Sequence, residues 1–197
     1  MNKRSGYESK KRIVESAIKV FSRYGYSGAT MRMIAKEAKI SIGGVYLYFK
    51  NKDELFLFLM KEKMTELDER ITPIIEDTSN PTRALRDYIK AAIHAASENR
   101  ELIMLHGKEL GITFGIDMKK EFFEKQRILL KNLIEEGIKS GEFIPCNSEQ
   151  VARLIMHIIR GYVHSIVVDP ENLIDTDECV KIIFNGLLKN REVQGCV

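Results

Sequence analysis

Cysteine and tryptophan are scarce in this sequence, whose 197 residues include three cysteines and no tryptophan. Cys146, Cys179 and Cys196 lie far apart, and no C-x-x-C pair occurs. This odd, sparse set argues against a disulfide framework and against a paired-cysteine metal site. The sequence also lacks strand-like alternation of apolar and polar residues, internal repeats and low-complexity segments. An all-α protein is therefore the simplest expectation.

Uncharged apolar runs of transmembrane length are missing as well. The basic N-terminus, MNKRSGYESKKR, leads to no apolar signal-peptide core, so we expect a cytoplasmic protein with no membrane segment. Walker, dinucleotide-binding, G-x-S-x-G and H-E-x-x-H motifs are all absent. The sequence thus indicates no enzyme, no cofactor and no metal site.

Charge is distributed unevenly, although the net charge of the chain is only +3. Residues 1–52 contain 12 basic and 3 acidic side chains, a net charge of +9, whereas the remainder has 19 basic and 25 acidic side chains, a net charge of −6. A basic head on an acidic body is typical of a DNA-binding domain joined to a second domain. We therefore predict one domain over 1–52 and another over 53–197.

The stretch from Thr30 to Lys52 has the pattern of a helix-turn-helix. Thr30 precedes a short helix as its N-cap, and Ser41 can cap a second one after a break at Lys39–Ile40. Asn51 and Glu54 then form a capping-box-like start for a third helix. The apolar residues expected on the inward faces are Met31, Ile34, Ala35 and Ala38 of the first helix and Ile42, Val45 and Phe49 of the second.

The outward face of the second helix has two glycines at its start and apolar and aromatic residues after them, which suits close approach to DNA. Hydroxyl and ammonium groups on this segment can donate to phosphates. We predict phosphate contacts from Thr30, Tyr46, Tyr48 and Lys52, and positions near base edges for Arg32, Ser41, Gly43, Gly44 and Leu47. The alternative is a plain helical hairpin with solvated tyrosines and a glycine loop.

The run from Ile13 to Leu59 resembles the DNA-binding domain of the TetR family of bacterial regulators. The matching segments are IVESAIKVFSRYGY, GATMRMIAKEAKIS and GGVYLYFKNKDELF. Tyr48 departs from the family pattern, which often has histidine before the phenylalanine. The resemblance implies a homodimeric repressor of double-stranded operator DNA, in which ligand binding in the body moves the long connecting helix and changes the spacing of the two heads.

About nine helices are expected in total. The first runs from about Lys10 to Tyr24 with Gly25 as its C′ residue, and residues 1–9 are expected to form a mobile arm. The long helix from Asn51 is expected to break at Thr72-Pro73. Later starts are expected at Asn80-Pro81, Asp117, Ser148 and Asp175 or Thr176.

The last two predicted helices have more apolar surface than a small body can cover from one side, because the helix from Ser148 is apolar nearly all round. We therefore predict a homodimer through a four-helix bundle of these helices. Two-fold symmetry then predicts a palindromic operator whose half-sites are about 34–36 Å apart, or farther.

A small-molecule pocket is expected among the central helices of the 53–197 domain, with a small apolar effector as its occupant. Because aromatic and methionine residues at helical spacing are often plain core, that reading stays open for each candidate. The candidate lining residues are Tyr88, Ala92, His94, Met104, Phe114, Phe122, Gln126, Met156 and Tyr162.

Two other functions remain open at this stage. One is a DNA-binding regulator that needs no ligand. The other is a metal- or redox-responsive regulator that uses body histidines such as His157 and His164, which share a helical face, or the loop residue Cys146.

Overall fold

The computed structural model describes residues 3–110 and 114–188, and the described residues form nine α-helices, one π-helical turn and no β-strand. The predicted all-α fold is confirmed. The helices are α1 (Lys3–Gly28), α2 (Met31–Glu37), α3 (Ile42–Tyr46), α4 (Lys52–Glu76), α5 (Pro81–Glu98), α6 (Arg100–Leu105), α7 (Ile116–Lys139), α8 (Ser148–Val168) and α9 (Thr176–Leu187), with the π-turn at His106–Leu110 between α6 and α7.

Short polar side chains start most of these helices, as the sequence predicts. Before α5, Asn80 Oδ1 accepts a hydrogen bond from the Arg83 amide at 2.8 Å, and before α9, Asp175 Oδ1 accepts one from the Glu178 amide at 2.9 Å. Asn147 caps α8 and holds the Gln150 amide at 3.0 Å, one residue before the predicted start. These side chains satisfy amides that the first helical turn leaves without a backbone partner.

Two sequence-based expectations about helix ends are wrong. The helix α1 already begins at Lys3, so from that residue on the predicted arm is helical; no proline interrupts it, and its lysine, arginine and glutamate residues favour helix. The helix α4 continues through Pro73 to Glu76. A proline this close to a helix end removes only one backbone hydrogen bond, and the last turn tolerates that loss.

The chain divides into two compact units, and the division differs from the predicted boundary after residue 52. Unit 1 comprises Met1–Thr65 and Asn99–Ile116, and unit 2 comprises Glu66–Glu98 and Asp117–Val197. The long helix α4 therefore belongs to unit 1 in its first half and to unit 2 in its second. The α6 segment returns to unit 1 because its apolar residues pack on the core of the head.

The core of unit 1 brings α1 to α4 together. Phe21, Tyr26 and Phe56 form an aromatic cluster with ring centroids 5.3–5.6 Å apart, and Leu102 and Leu105 of α6 pack on the same core. Edge-to-face and offset ring contacts of this kind stabilise a core beyond the burial of their area. This cluster gives the short helices α2 and α3 a rigid support.

In unit 2, α5, α8 and α9 pack together, and α7 adds a buried stripe that includes Leu130, Leu133 and Ile134. Gly137 lies so close to Phe143 that an added Cβ would be 2.2 Å from its ring. By length and composition α8 could cross a membrane, as the core helix of a soluble protein also could. It contains Arg153 and Arg160, and its buried face packs within unit 2.

Candidate functional site

The helix-turn-helix predicted from Thr30 to Lys52 is present and capped at each start. Thr30 Oγ1 accepts a hydrogen bond from the Met33 amide at 3.2 Å, and Ser41 Oγ accepts one from the Gly44 amide at 3.1 Å. Lys39, between α2 and α3, has a φ of 54°, the left-handed conformation that reverses the chain. The capping hydroxyls of Thr30 and Ser41 are thereby engaged with the backbone, while both residues stay exposed.

Burial divides α3 and its C-terminal flank into two faces. Val45 and Phe49 are buried in unit 1, whereas Leu47 is 75% exposed and Tyr46 is 51% exposed. Ile42, which we expected to face inward, is 39% exposed, because the five-residue helix has room for only one buried turn. Leu47 and Tyr46 therefore project from the segment on the side away from its buried residues.

Gly43 and Gly44, both predicted to approach DNA, have different surroundings. A Cβ at Gly43 would meet no described atom within 4 Å, so this position is an open surface. A Cβ at Gly44 would lie 2.7 Å from Ile40 Cγ2 and 3.2 Å from Ser41 Oγ. Gly44 is thus needed by the turn itself, whereas the fold does not require glycine at Gly43.

The remaining predicted contact residues differ in how accessible they are. Arg32 is exposed on α2, and Tyr48 is half-buried against the core of unit 1. The Lys52 ammonium donates to the carbonyls of Tyr26 and Ala29 at 2.5 and 3.0 Å and lies 4.2 Å from the centroid of the Tyr26 ring. Residues 26–29 follow a kink in α1 at the left-handed Gly25, and we call them the α1–α2 turn. Lys52 therefore fixes the start of α4 to this turn, a role that its position in the sequence did not indicate.

Sequence reasoning missed a second contact at that turn. The Glu109 carboxylate, on the π-turn, accepts hydrogen bonds from the amides of Tyr26 and Ser27 at 3.0 and 2.6 Å. The Ser27 amide, and to a smaller degree the Tyr26 amide and the Lys52 charge, lower the pKa of Glu109. Gly25 has a φ of 71°, and a Cβ there would lie 2.6 Å from Glu109 Oε1, so this contact requires glycine. Glu109 is 83 residues from Tyr26 and 82 residues from Ser27 in the sequence, so no local pattern could reveal this contact.

Unit 2 brings several of the predicted ligand-binding residues into its interior. The Tyr88 hydroxyl donates to the Met156 thioether at 3.8 Å, and the Tyr162 hydroxyl lies 2.9 Å from Ser97 Oγ. Gln126 is fully buried and donates from Nε2 to Asp68 Oδ1 at 2.8 Å. Asp68 and Ser97, the polar partners of these residues, were not predicted.

The other predicted ligand-binding residues have different environments. Ala92 is buried on α5, and Phe122 packs edge-to-face on Phe123. His94 lies at the surface, where its Nε2 is 3.0 Å from the Glu98 carboxylate.

Met104 and Phe114 belong to unit 1 and not to unit 2. Met104 lines a groove of about 320 Å³ there, and Phe114 packs edge-to-face on Phe56.

Histidines and cysteines form no cluster suited to a metal within residues 3–110 and 114–188. His157 and His164 are exposed on α8. Burial raises the pKa of Cys146 and of Cys179, which disfavours the reactive thiolate. Cys196 lies outside the described residues.

The outer face of α8 has an apolar seam. Leu154, Ile158, Gly161, Ser165 and Val168 follow one another at intervals of four and three residues and share one face of the helix. Leu154 is 59% exposed, and Ile182 on α9 is 62% exposed. A Cβ at Gly161 or at Gly186 of α9 would meet no described atom within 4 Å. These surfaces leave space for another helix.

Comparison with known proteins finds a likeness in the helix-turn-helix segment that extends to most of the chain. Residues 13–59 match the family model described as bacterial regulatory proteins, tetR family. The HTH-type transcriptional regulator YhgD of Bacillus subtilis is 33% identical over 165 residues, spanning 77% of this chain and 80% of YhgD. The fatty acid metabolism regulator protein of the same organism is 29% identical over 133 residues, spanning 66% of this chain and 68% of that protein.

A solved structure supports the same fold. The transcriptional regulator FadR from Bacillus subtilis, in complex with stearoyl-CoA, aligns with a TM-score of 0.71 and 24% identity, covering 89% of this chain and 98% of that one. Because the family model and YhgD, matched over 80% of its length, agree, the resemblance seen in the sequence is confirmed. The chain is a transcriptional regulator, not an enzyme, and it belongs to the TetR family.

Proposed function

We propose that this protein is a cytoplasmic repressor that binds a palindromic operator as a homodimer and is released by a small apolar ligand. The observation that carries the DNA-binding part is the exposed face of α3. Leu47 and Tyr46 are exposed there, while Val45 and Phe49 fix the helix from behind. A rigidly supported helix with a protruding apolar residue and an open Gly43 fits the major groove, where apolar side chains contact thymine methyl groups.

The charge of the head supports the same proposal. The net charge of +9 on residues 1–52 supplies the sequence-independent attraction to phosphates, and exposed Arg32 on α2 lies close in sequence to the recognition segment. Lys52, which we expected at a phosphate, donates two of its N–H groups to carbonyls. Its third N–H can still donate to a phosphate.

The homodimer is supported by the apolar seam of α8. Leu154, Ile158 and Val168 on α8 and Ile182 on α9 would be covered by the same helices of a second copy, and Gly161 and Gly186 would allow those helices to approach closely. A two-fold axis through this interface places two heads on two half-sites of one operator.

An apolar effector is supported by the interior of unit 2 and by what relatives bind. Tyr88, Met156 and Tyr162 form an apolar interior with few polar groups, as ligand sites commonly do. FadR from Bacillus subtilis was solved with stearoyl-CoA. A ligand releases DNA only to the extent that it binds the non-DNA-binding state more tightly, which here means a different spacing of the two heads.

The direct test is operator binding by variants of the exposed head residues. An operator recovered by in vitro selection is titrated by fluorescence anisotropy at several salt concentrations. We expect Arg32→Ala to weaken binding about tenfold and Leu47→Ala to change the selected sequence, because each such contact contributes about 1–3 kcal/mol. Arg23→Ala removes the same charge from an exposed position on a different helix, α1, and is the matched control.

If Arg32→Ala and Leu47→Ala bound the selected site as wild type does, the proposed docking of α3 would be wrong. If Arg23→Ala had the same effect as Arg32→Ala, the attraction would be general and would not indicate a groove contact.

A further inference from the structure

One buried polar atom in unit 2 has no partner, and it lies on a residue that the repressor function does not explain. Gln126 on α7 is fully buried, and its Oε1 has no hydrogen-bond partner among the described residues. A buried acceptor without a partner costs about 1–3 kcal/mol, so its presence in a core calls for a reason.

Asp68 determines which end of the Gln126 amide is left over. Nε2 of Gln126 donates to Asp68 Oδ1 at 2.8 Å, and the opposite orientation would bring two oxygens together. Lys125 Nζ and the Thr72 hydroxyl bind the same carboxylate at 2.5 and 3.1 Å, so Asp68 is itself held in place. The amide is therefore fixed, and its oxygen remains an acceptor.

A buried tyrosine close enough to feel the Asp68 charge directs its hydroxyl to another acceptor. Tyr88, on α5, is buried, and burial together with the Asp68 charge raises the pKa of its hydroxyl, which stays protonated. That hydroxyl donates to the Met156 thioether, a weak acceptor. This part of unit 2 thus contains an unpaired oxygen acceptor, a carboxylate and the buried side chains of Tyr88 and Met156.

We propose that Gln126 Oε1 is the polar anchor of the effector site and accepts a hydrogen bond from the effector. The class of ligand that fits is an apolar molecule with one O–H or N–H donor. A molecule with only acceptor groups would leave Oε1 unpaired and would set its own oxygens against those of Gln126 and Asp68. This inference rests on the proposed ligand-responsive function and specifies the chemistry of its ligand.

Two isomeric probes test the anchor directly on the full-length protein. The compounds 1-decanol and methyl nonyl ether have the same atoms and nearly the same apolar chain, but only the alcohol is a donor. Binding of each is measured by isothermal titration calorimetry. We expect wild type to bind the alcohol about tenfold more tightly than the ether, the effect of one hydrogen bond to a buried acceptor.

Gln126→Met should bind both isomers with similar affinity, because methionine retains the volume of glutamine and lacks the amide. Gln150→Met, an exposed glutamine on α8, is the matched control and should keep the wild-type preference. Asp68→Ala is a second variant in case Gln126→Met does not fold, and we expect it to reduce the preference because the amide becomes free to turn.

Equal affinities of wild type for the two isomers, or a preference that survives in Gln126→Met, would overturn the anchor. So would the failure of both isomers to bind wild type. Operator anisotropy on the same samples distinguishes failure of the anchor proposal from failure of the proposed function. If wild type binds the operator but shows no preference between the isomers, only the anchor proposal is refuted. If wild type does not bind the operator specifically, the proposed repressor function is refuted.

Discussion

At the scale of single residues, the two glycines of α3 show how neighbours of one type can have separate roles. Gly44 lies against Ile40 and Ser41, so the turn determines its identity. Gly43 faces open space on the surface proposed to meet DNA. The two roles predict opposite outcomes for the same substitution.

Gly43→Ala should stabilise the free protein by about 0.5–1 kcal/mol, because alanine favours helix over glycine. The same variant should weaken operator binding, since the added methyl occupies the space between α3 and the DNA. Urea unfolding and anisotropy on the selected operator measure the two effects.

Gly44→Ala is the matched control and should destabilise the free protein, because its Cβ would lie 2.7 Å from Ile40. Unchanged operator affinity in Gly43→Ala would contradict the docking of this helix face.

At the scale of elements, the Glu109 carboxylate joins the π-turn to the end of α1. It binds the amides of Tyr26 and Ser27 just after the left-handed Gly25. Lys52 holds the carbonyls of Tyr26 and Ala29 from the start of α4. The α1–α2 turn is therefore held by α4 and by the π-turn through charged groups.

The lowered pKa of Glu109 makes this contact dependent on pH. Because the folded-state pKa lies below the ordinary value of 4.5, the contact stabilises the fold above that pH, and this stability is lost as the pH falls through the lowered pKa. Glu109→Gln should lower the free energy of unfolding at pH 7 by less than about 1 kcal/mol, since the exposed carboxylate is screened by solvent. The difference from wild type should shrink as the pH falls below 4.5, as urea unfolding at several pH values would measure.

Glu101→Gln serves as the control, because Glu101 is an exposed glutamate on the neighbouring helix α6. A difference between wild type and Glu109→Gln that stayed constant from pH 7 to pH 3 would mean that the carboxylate charge does not hold the turn.

At the scale of the whole molecule, the apolar seam on α8 is exposed in a single chain. Leu154→Lys should convert the proposed dimer to a monomer, because burying an unpaired ammonium in an apolar interface costs several kcal/mol. Sedimentation equilibrium would measure the state, and operator affinity should fall with it because a monomer binds one half-site.

Ile128→Lys is the matched control on α7, where Ile128 is 44% exposed and lies outside the α8 seam. If Leu154→Lys remained a dimer, or if Ile128→Lys dissociated equally, the interface would lie elsewhere.

Local patterns in the sequence predicted much of the fold. Helix starts at Thr30, Ser41, Asn80 and Asp175 followed from capping residues, whose effect depends on amides two or three positions away. The left-handed Gly25 followed from a glycine at the end of an apolar stripe. Pro73 misled the prediction, because a proline in the last turn removes only one backbone hydrogen bond from the helix.

The sequence by itself therefore determined the all-α class and the helix-turn-helix, because these depend on periodicity, capping and charge within short stretches. The family followed from the resemblance of the segments between Ile13 and Leu59. Only the tertiary structure decided which candidates share a unit, that Met104 and Phe114 belong with the head, and that Glu109 reaches Ser27. It also decided that Gln126 donates to Asp68 and leaves its oxygen unpaired. Such contacts join residues more than 50 positions apart, and their geometry depends on how whole helices pack.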